Sequence, residues 1–280
     1  MKLSVLMPVY ERESPEFLRA AIESLAAQTV QADEIVIVED GPLGAELTEM
    51  IRNAQAVLPI VSLRLLAHAG LGLALREGLD TCRGEFVARM DADDICAPDR
   101  FYRQLDFLER NRQVDVVGSA IAEFRHDPLA VESVRRLPVT GRALAEFAKH
   151  RNPLNHMTVM FRRQAVLDAG SYQSCAGFED YHLWARMLGR GCQLCNLSDV
   201  LVHVRCGNGM QQRRGGLNYL LREIEFQRFL YRTGLLSAPD CARNMLVRAP
   251  VRLVPAFMRS LFYGHFLREP APRNGALKVE

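Results

Sequence analysis

Asp91-Ala92-Asp93-Asp94 places three carboxylates within four residues, directly after the short run Glu85 to Met90 and with Arg89 just upstream. Carboxylates this close repel one another and weaken the fold unless something cationic sits among them. A hard divalent ion suits them, since Mg²⁺ takes oxygen ligands at about 2.0–2.1 Å and completes its shell with substrate phosphates. Alternate residues of an extended chain stand roughly 6–7 Å apart. One carboxylate can therefore hold a metal while the next holds a sugar hydroxyl. The plain alternative is a solvated acidic loop that caps the helix beginning near Pro98-Asp99.

Two further acidic pairs have the right company. Glu39-Asp40-Gly41 follows the β-branched run Ile35-Val36-Ile37-Val38. An acid there can accept hydrogen bonds from a base or ribose, and the glycine permits close backbone approach; Asp-Gly-Pro is equally ordinary turn chemistry. Glu179-Asp180 opens a helical pattern containing Trp184. Carboxylates at a helix N-terminus are favoured by its dipole, so capping explains them without function. As function, Asp180 could take a proton from an acceptor hydroxyl.

The elements that must position these loops are legible as alternating patterns. Strand-like runs at Leu3–Met7, Ile35–Val38, Ile60–Leu66, Glu85–Met90 and Val114–Val117 alternate with helical spacing. The helices begin at Ser14-Pro15, near Ala45–Ala54, around Leu73–Leu79 and at Phe101–Leu108. Ser14 suits an N-cap and Pro15 the first helical position. This order predicts an α/β fold, a mostly parallel, Rossmann-like central sheet with helices on both faces. Ligands of such sheets bind outside the carboxyl ends of the strands, which is where the loops after Met7, Val38 and Met90 should meet. The second half predicts strands at Met157–Phe161 and Gln193–Arg205. It also predicts helices at Glu179–Arg190, stopped by Gly191, and at Leu217–Arg232.

Composition narrows the function. The chain has 280 residues, 49% of them hydrophobic and 24% charged, values of an ordinary globular protein. Thirty-five basic against 33 acidic residues give +2, which argues against a dedicated nucleic-acid binder. No apolar stretch approaches the roughly 18–20 residues of a membrane span. The start reads as a first strand rather than a signal peptide, and the expectation is a cytoplasmic protein. The seven cysteines, an odd number spread along the chain, read as free thiols of a reducing compartment. Cys192-x-x-Cys195 has half a zinc-knuckle spacing but no second pair follows it. No G-x-G-x-x-G follows the first strand, which counts against a dinucleotide-binding enzyme.

In register, these motifs resemble an inverting glycosyltransferase of family 2 with the GT-A fold. Pro8-Val9-Tyr10 matches its P-V-Y opening, Val36 to Gly41 its V-x-D-G strand, and Asp91 to Asp94 its D-x-D signature. Glu179-Asp180-Tyr181-x-Leu183-Trp184 matches its E-D-x-x-L-W base motif, and Gln28-Thr29 closes the first helix as in family members. The agreement runs from Leu3 to about Gly216. Gly70-Leu71-Gly72 and the run Gly207 to Gly216 are similar to an amylovoran-type subgroup of exopolysaccharide biosynthesis. Glu11 stands where many members have Asn, and Arg76-Glu77-Gly78 where Asn before x-Gly is usual.

The resemblance implies a nucleotide-diphosphate sugar donor, by default a UDP-hexose, and a glycan acceptor on a polyprenyl diphosphate. Residue by residue, it implies that Pro8, Val9, Tyr10 and Glu11 frame the base and ribose and that Asp40 bonds the base. Asp91 faces the ribose, sugar and metal, and Asp93 ligates Mg²⁺ or Mn²⁺. Asp180 is the base with Glu179 near the acceptor, and Arg213 and Arg214 face the diphosphate, where a solvated basic turn is the alternative. Asn155-His156, in the run from Asn152, borders one of the sugars or is simply structural.

The implied organisation is a GT-A domain over 1–216 and a basic, amphipathic helical region over 217–280. The GT-A domain divides into a nucleotide-sugar half (1–125) and an acceptor half (126–216). From Arg243 to Arg268 there are five arginines and no acid. That segment either packs as ordinary helices or touches the anionic inner leaflet of the membrane. Two other functions keep the same sheet: a nucleotidyltransferase, which would want a glycine-rich phosphate loop absent here, and a non-catalytic sugar-nucleotide-binding protein.

Overall fold

The computed structural model describes residues 2–207, 216–253 and 269–270. Its first part is an alternation of β1 (Leu3–Val9), α1 (Pro15–Ala26), β2 (Glu34–Glu39), α2 (Ala45–Gln55), β3 (Ile60–Arg64), α3 (Leu71–Thr81) and β4 (Phe86–Arg89). A short β5 (Ile95–Cys96), α4 (Arg100–Arg110), the long β6 (Val114–Phe124), β7 (Ser133–Arg135) and α5 (Gly141–Ala148) follow. Next come β8 (Met160–Arg162), α6 (Arg163–Asp168), α7 (Glu179–Gly189) and β9 (Gln193–Arg205). The chain then adds α8 (Leu217–Arg232), α9 (Ala238–Leu253) and β10 (Glu269–Pro270).

Local chemistry explains the boundaries. The Ser14 hydroxyl accepts from Phe17 N at 3.4 Å and Pro15 takes the first turn of α1. Beyond α7, Gly191 adopts φ +83°. Its N–H donates to Leu188 and that of Cys192 to Met187, both at 3.0 Å, the paired bonds of a Schellman stop.

Period-two alternation distributes β1 and β2 between two cores. Leu3, Val5, Met7 and Val9 join Ile35 and Ile37 beneath α1, α2 and α4. Leu6, Val36 and Val38 point the other way, to Leu75, Leu79 and Trp184 of α3 and α7. Strand β2 is buried along its whole length, as a strand covered on both faces must be.

Among the described residues the sheet order is β10-β7-β6-β8-β4-β1-β2-β3, with β9 beside β6 and β5 beside β9. The strands β4, β1, β2 and β3 are parallel. Beyond β4 the sheet is mixed: β8 runs antiparallel to both β4 and β6, while β9 is parallel to β6. The strand expected at Met157–Phe161 begins only at Met160. His156–Thr158 is a 3-10 turn, held by the Thr158 hydroxyl on Asn155 O at 2.8 Å and by Asn155 Nδ2 on Ser119 O at 2.8 Å. These local side-chain bonds outcompete the β ladder.

Helix α8, the first of the expected C-terminal helical region, packs against α7. Its Tyr219, Phe226 and Leu230 bury against Phe178, Tyr181 and Ala185, with Phe178 and Phe226 stacked at 4.5 Å. The cysteines of the chain are free thiols. No described helix is long and apolar enough to cross a membrane.

Candidate active site

Parallel strands β1, β2 and β4 are adjacent and in register, Pro8 opposite Val38 and Leu6 opposite Arg89. Their carboxyl ends therefore deliver the Tyr10, Asp40 and Asp91 loops to one edge of the sheet. Gln28, just past α1, holds the segment that leaves the acidic loop. Its Nε2 donates to Ala97 O at 2.7 Å and its Oε1 accepts from Phe101 N at 3.1 Å.

One oxygen from each of Asp91, Asp93 and Asp94 lies within 4.8 Å of the others. Arg89, buried on β4, ion-pairs with Asp91. The other two nitrogens of its guanidinium fork, Nε and Nη1, are buried without a hydrogen-bond partner. Asp94 is buried and accepts from Arg205 N at 3.0 Å, and its second oxygen has no hydrogen-bond partner. Burial, reinforced by Asp91 and Asp93, pushes its carboxyl well above the usual range. Arg205 also donates to Asp93 O at 3.3 Å while its guanidinium lies 3.9 Å over the Phe17 ring. Three hard oxygen donors converging on one point, one of them buried and unsatisfied, suit an oxygen-preferring divalent cation. The acidic triad can coordinate a metal.

Glu13 joins this cluster from the turn before α1. It is half-buried, and burial followed by the charges of Asp93 and Asp91 raises it from 4.5 to about 7. A lone glutamate before a helix carries no signal in the sequence; only the fold brings it near Asp93 and Asp91.

Asp40 is buried, and its carboxylate accepts from Ala69 N at 2.6 Å, Gly70 N at 3.1 Å and His68 Nδ1 at 2.9 Å. It thus fastens the turn that leads into α3. Gly41, at φ +90°, passes so close that a β-carbon would lie 2.7 Å from His68 N. The ring of Tyr10 stands 6.3 Å from that of His68. Pro8 is half-buried at the end of β1, Val9 is buried in the core, and Glu11 is exposed beside Arg12 at 3.8 Å. Only the backbone of Val9 can therefore face a ligand.

The turn fastened by Asp40 reaches Glu179 through Gly72. A β-carbon at Gly72 would lie 2.7 Å from Gln173 O and 3.0 Å from Glu179 Cγ. Glu179, raised by burial, accepts from Gly177 N at 3.0 Å. Asp180 accepts from its neighbour Tyr181 N at 2.8 Å and from Asn152 Nδ2. Tyr172 is buried, and burial, with the charges of Asp180 and Asp91 working against that of Arg89, holds its hydroxyl above the usual range. Its hydroxyl stands 3.1 Å from His156 Nε2. Burial and then the Arg89 charge hold His156 well below its ordinary value, so it is neutral and packed, with Trp184 edge-on at 6.2 Å. The structural alternative for Asn155-His156 fits these contacts. Arg213 and Arg214 lie outside the described residues.

Comparison with known proteins bears on the family and the fold. The model of the family described as "Glycosyl transferase family 2" matches residues 4–170. The amylovoran biosynthesis glycosyltransferase AmsE of Erwinia amylovora is 40% identical over 263 residues, covering 93% of this chain and 97% of its own. A UDP-Gal:alpha-D-GlcNAc-diphosphoundecaprenol beta-1,3-galactosyltransferase of Escherichia coli is 35% identical over 267 residues, covering 95% and 97%. Among solved structures, S. aureus TarS 1-349 superposes with a TM-score of 0.65 at 18% identity, covering all of this chain and 76% of that one. The mannosyltransferase PcManGT of Pyrobaculum calidifontis, in complex with GDP-Man and Mn2+, gives 0.61 at 17%, covering 94% and 79%. Those two likenesses speak for the GT-A type of fold. With the family match spanning most of the chain and the acidic loops gathered at one sheet edge, this protein belongs to glycosyl transferase family 2 and is a glycosyltransferase.

Proposed function

We propose that the protein is an inverting transferase that moves a sugar from a nucleotide-diphosphate donor, by preference a UDP-hexose, onto a lipid-linked oligosaccharide of exopolysaccharide, capsule or O-antigen assembly. What supports this reading is the acidic cluster Asp91–Asp94 at the same sheet edge as the Asp40 loop, with Glu179, next to Asp180, packed against Gly72. The names of the two relatives above support a pathway of this kind. One acts in amylovoran synthesis and one transfers galactose to a diphosphoundecaprenol-linked sugar. The amylovoran-type subgroup is the narrower form of the same proposal.

Tyr10 and the backbone of Pro8, Val9 and Glu11 would frame the nucleoside. A carboxylate offers about four acceptor positions; protein donors take three at Asp40, and the fourth is assigned to a base N–H. Asp91 and Asp93 would hold Mg²⁺ or Mn²⁺ with Asp94 behind them. When bound, such an ion supplies positive charge against the leaving diphosphate. Arg213 and Arg214 are assigned to the same diphosphate, since guanidinium forks match phosphate oxygens.

Asp180, with two donors on its carboxylate, acts as the general base. It takes the acceptor hydroxyl proton while that oxygen attacks the anomeric carbon and the bond to the nucleoside diphosphate breaks on the opposite face. Configuration therefore inverts. Leu246, Val247 and Arg243 are exposed on α9 and support a peripheral contact with an anionic leaflet. The remainder of the basic segment, 254–268, lies outside the described residues.

The test is Asp180→Asn. The variant should bind UDP-sugar as the parent does and lose transfer by about 10²-fold or more. Parental turnover in that variant would overturn the base assignment.

A further inference from the structure

Where the chain leaves α5, three consecutive carbonyls, those of Ala148, its C-cap Lys149 and His150, lie beyond the last helical hydrogen bond. Each is taken by a side chain from elsewhere. Ala148 O accepts from Tyr181 Oη, Lys149 O from Asn244 Nδ2 at 2.8 Å, and His150 O from Arg248 Nη2. Two of these donors belong to α9 and one to α7, next to Asp180.

The α9 donors are themselves tied into a buried polar group. Asn244 donates to Gln227 Oε1 at 3.0 Å, and its Oδ1 lies 2.9 Å from His150 Nδ1. Arg248 pairs with Glu223 of α8, which is wholly buried. Burying such a pair gains little net stability against an apolar substitute, but removing one partner is costly. Such a group fixes geometry more than it adds strength. What it fixes is the chain just before Asn152. Asn152 Nδ2 donates to Asp180 Oδ2, while Asn152 Oδ1 accepts from Leu154 N at 3.3 Å, which sets the amide's orientation.

We propose that Asn152 is a positioning residue for Asp180, and that the α8–α9 pair holds it in place through Asn244 and Arg248. The proposal rests on the reading of Asp180 as the base. It makes the C-terminal helices part of the catalytic apparatus: they clamp the 148–152 segment, and that segment aims the carboxylate. A donor on the charged form of a carboxyl favours ionisation, so the bond also keeps Asp180 ready to accept a proton. Among the described residues, the ionisable groups that face Asp180 include Tyr172, Cys175, Glu179 and Tyr181, with Arg248 and Glu223 beyond Tyr181.

The experiment is a carboxyl titration of the full-length chain by ¹³C NMR with labelled aspartate. The Asp180 signal is identified as the one missing from Asp180→Asn. Asn152→Ala should raise the Asp180 pKa by about one unit, since it removes a donor to the charged form. Arg248→Met should shift it in the same direction by less. Affinity for UDP with Mn²⁺ should be unchanged in both. Should Asn152→Ala fail to unfold cooperatively, the isosteric Asn152→Asp replaces it and should raise the Asp180 pKa further through like charge. An Asp180 titration that stays parental in the Asn152 variant overturns the proposal. An unshifted titration in Arg248→Met alone overturns the part assigned to the C-terminal helices. Transfer by Asp180→Asn is measured separately, so failure of the base reading is told apart from failure of this one.

Discussion

Arg89 and Asp91 form an ion pair at the end of β4 in which the arginine is buried and the aspartate half-exposed. The pair sits under a cluster of three carboxylates, those of Asp91, Asp93 and Asp94. It explains how three carboxylates can remain together before any cation arrives. One guanidinium pairs with one carboxylate, and burial holds Asp94 well above the usual carboxylate range, so the cluster carries less negative charge until a cation arrives.

Arg89→Gln should therefore be destabilising. Removing one partner of a fully buried pair typically costs about 3–5 kcal/mol, and the partial exposure of Asp91 lowers that to about 1–3 kcal/mol. Chemical denaturation should show a loss of that order, and saturating Mn²⁺ should recover part of it, because ligand binding to the folded state alone is stabilising. An unchanged midpoint would mean that the triad needs no internal counter-charge.

Metal removal is the complementary test. Excess chelator should abolish transfer, and Mg²⁺ or Mn²⁺ should restore it. In parallel, Mn²⁺ should raise the thermal midpoint of the parent but not of Asp93→Asn. Activity that survives chelation would exclude the proposed ligand role of Asp91 and Asp93.

Glu13 gives the metal-free protein a pH dependence of definite sign. Its carboxyl is raised from 4.5 to about 7 in the fold, and Asp94 is displaced in the same direction. Between those limits the folded state binds more protons than the unfolded one, so stability falls as pH rises through the window. Thermal midpoints measured in chelator should decline from pH 4.5 to 7. Glu13→Gln should flatten that decline in part, with the remainder belonging to Asp94. A midpoint that rises over this interval by the same amount in parent and variant would contradict the placement of Glu13.

Gly41→Ala tests the nucleotide side. The added β-carbon would meet His68 N at 2.7 Å, at a backbone φ of +90° that side chains avoid. The turn carried by Asp40 must then move. A stability loss of about 1 kcal/mol or more is expected from such a strained site, together with at least tenfold weaker UDP binding by calorimetry. Parental affinity would detach this turn from the nucleotide.

Much of this arrangement was legible in residue types. Ile35 to Val38 and Leu3 to Met7 read as strands, and their alternation with helical patterns predicted a parallel sheet and so which loops share an edge. Ser14, Pro15 and Gly191 punctuated helices by chemistry that acts locally. Asp91, Asp93 and Asp94 announced themselves by mutual repulsion. What stayed hidden depends on contacts between distant segments. Glu13 gains meaning only opposite Asp93, and Asn152 only beside Asp180, 28 positions later. The turn at His156–Thr158, which delays the start of β8 to Met160, rests on side-chain bonds of Asn155 and Thr158 that no periodicity reports.

Gly72 carries a lesson for anyone who would rebuild this enzyme from parts. The carbonyl of Gln173 presses so near α3 that not even a methyl group fits between them. A chimera that borrows the 171–180 stretch from a cousin with different tastes in sugar inherits this tolerance, and must bring a glycine at position 72 or a retreating backbone to match.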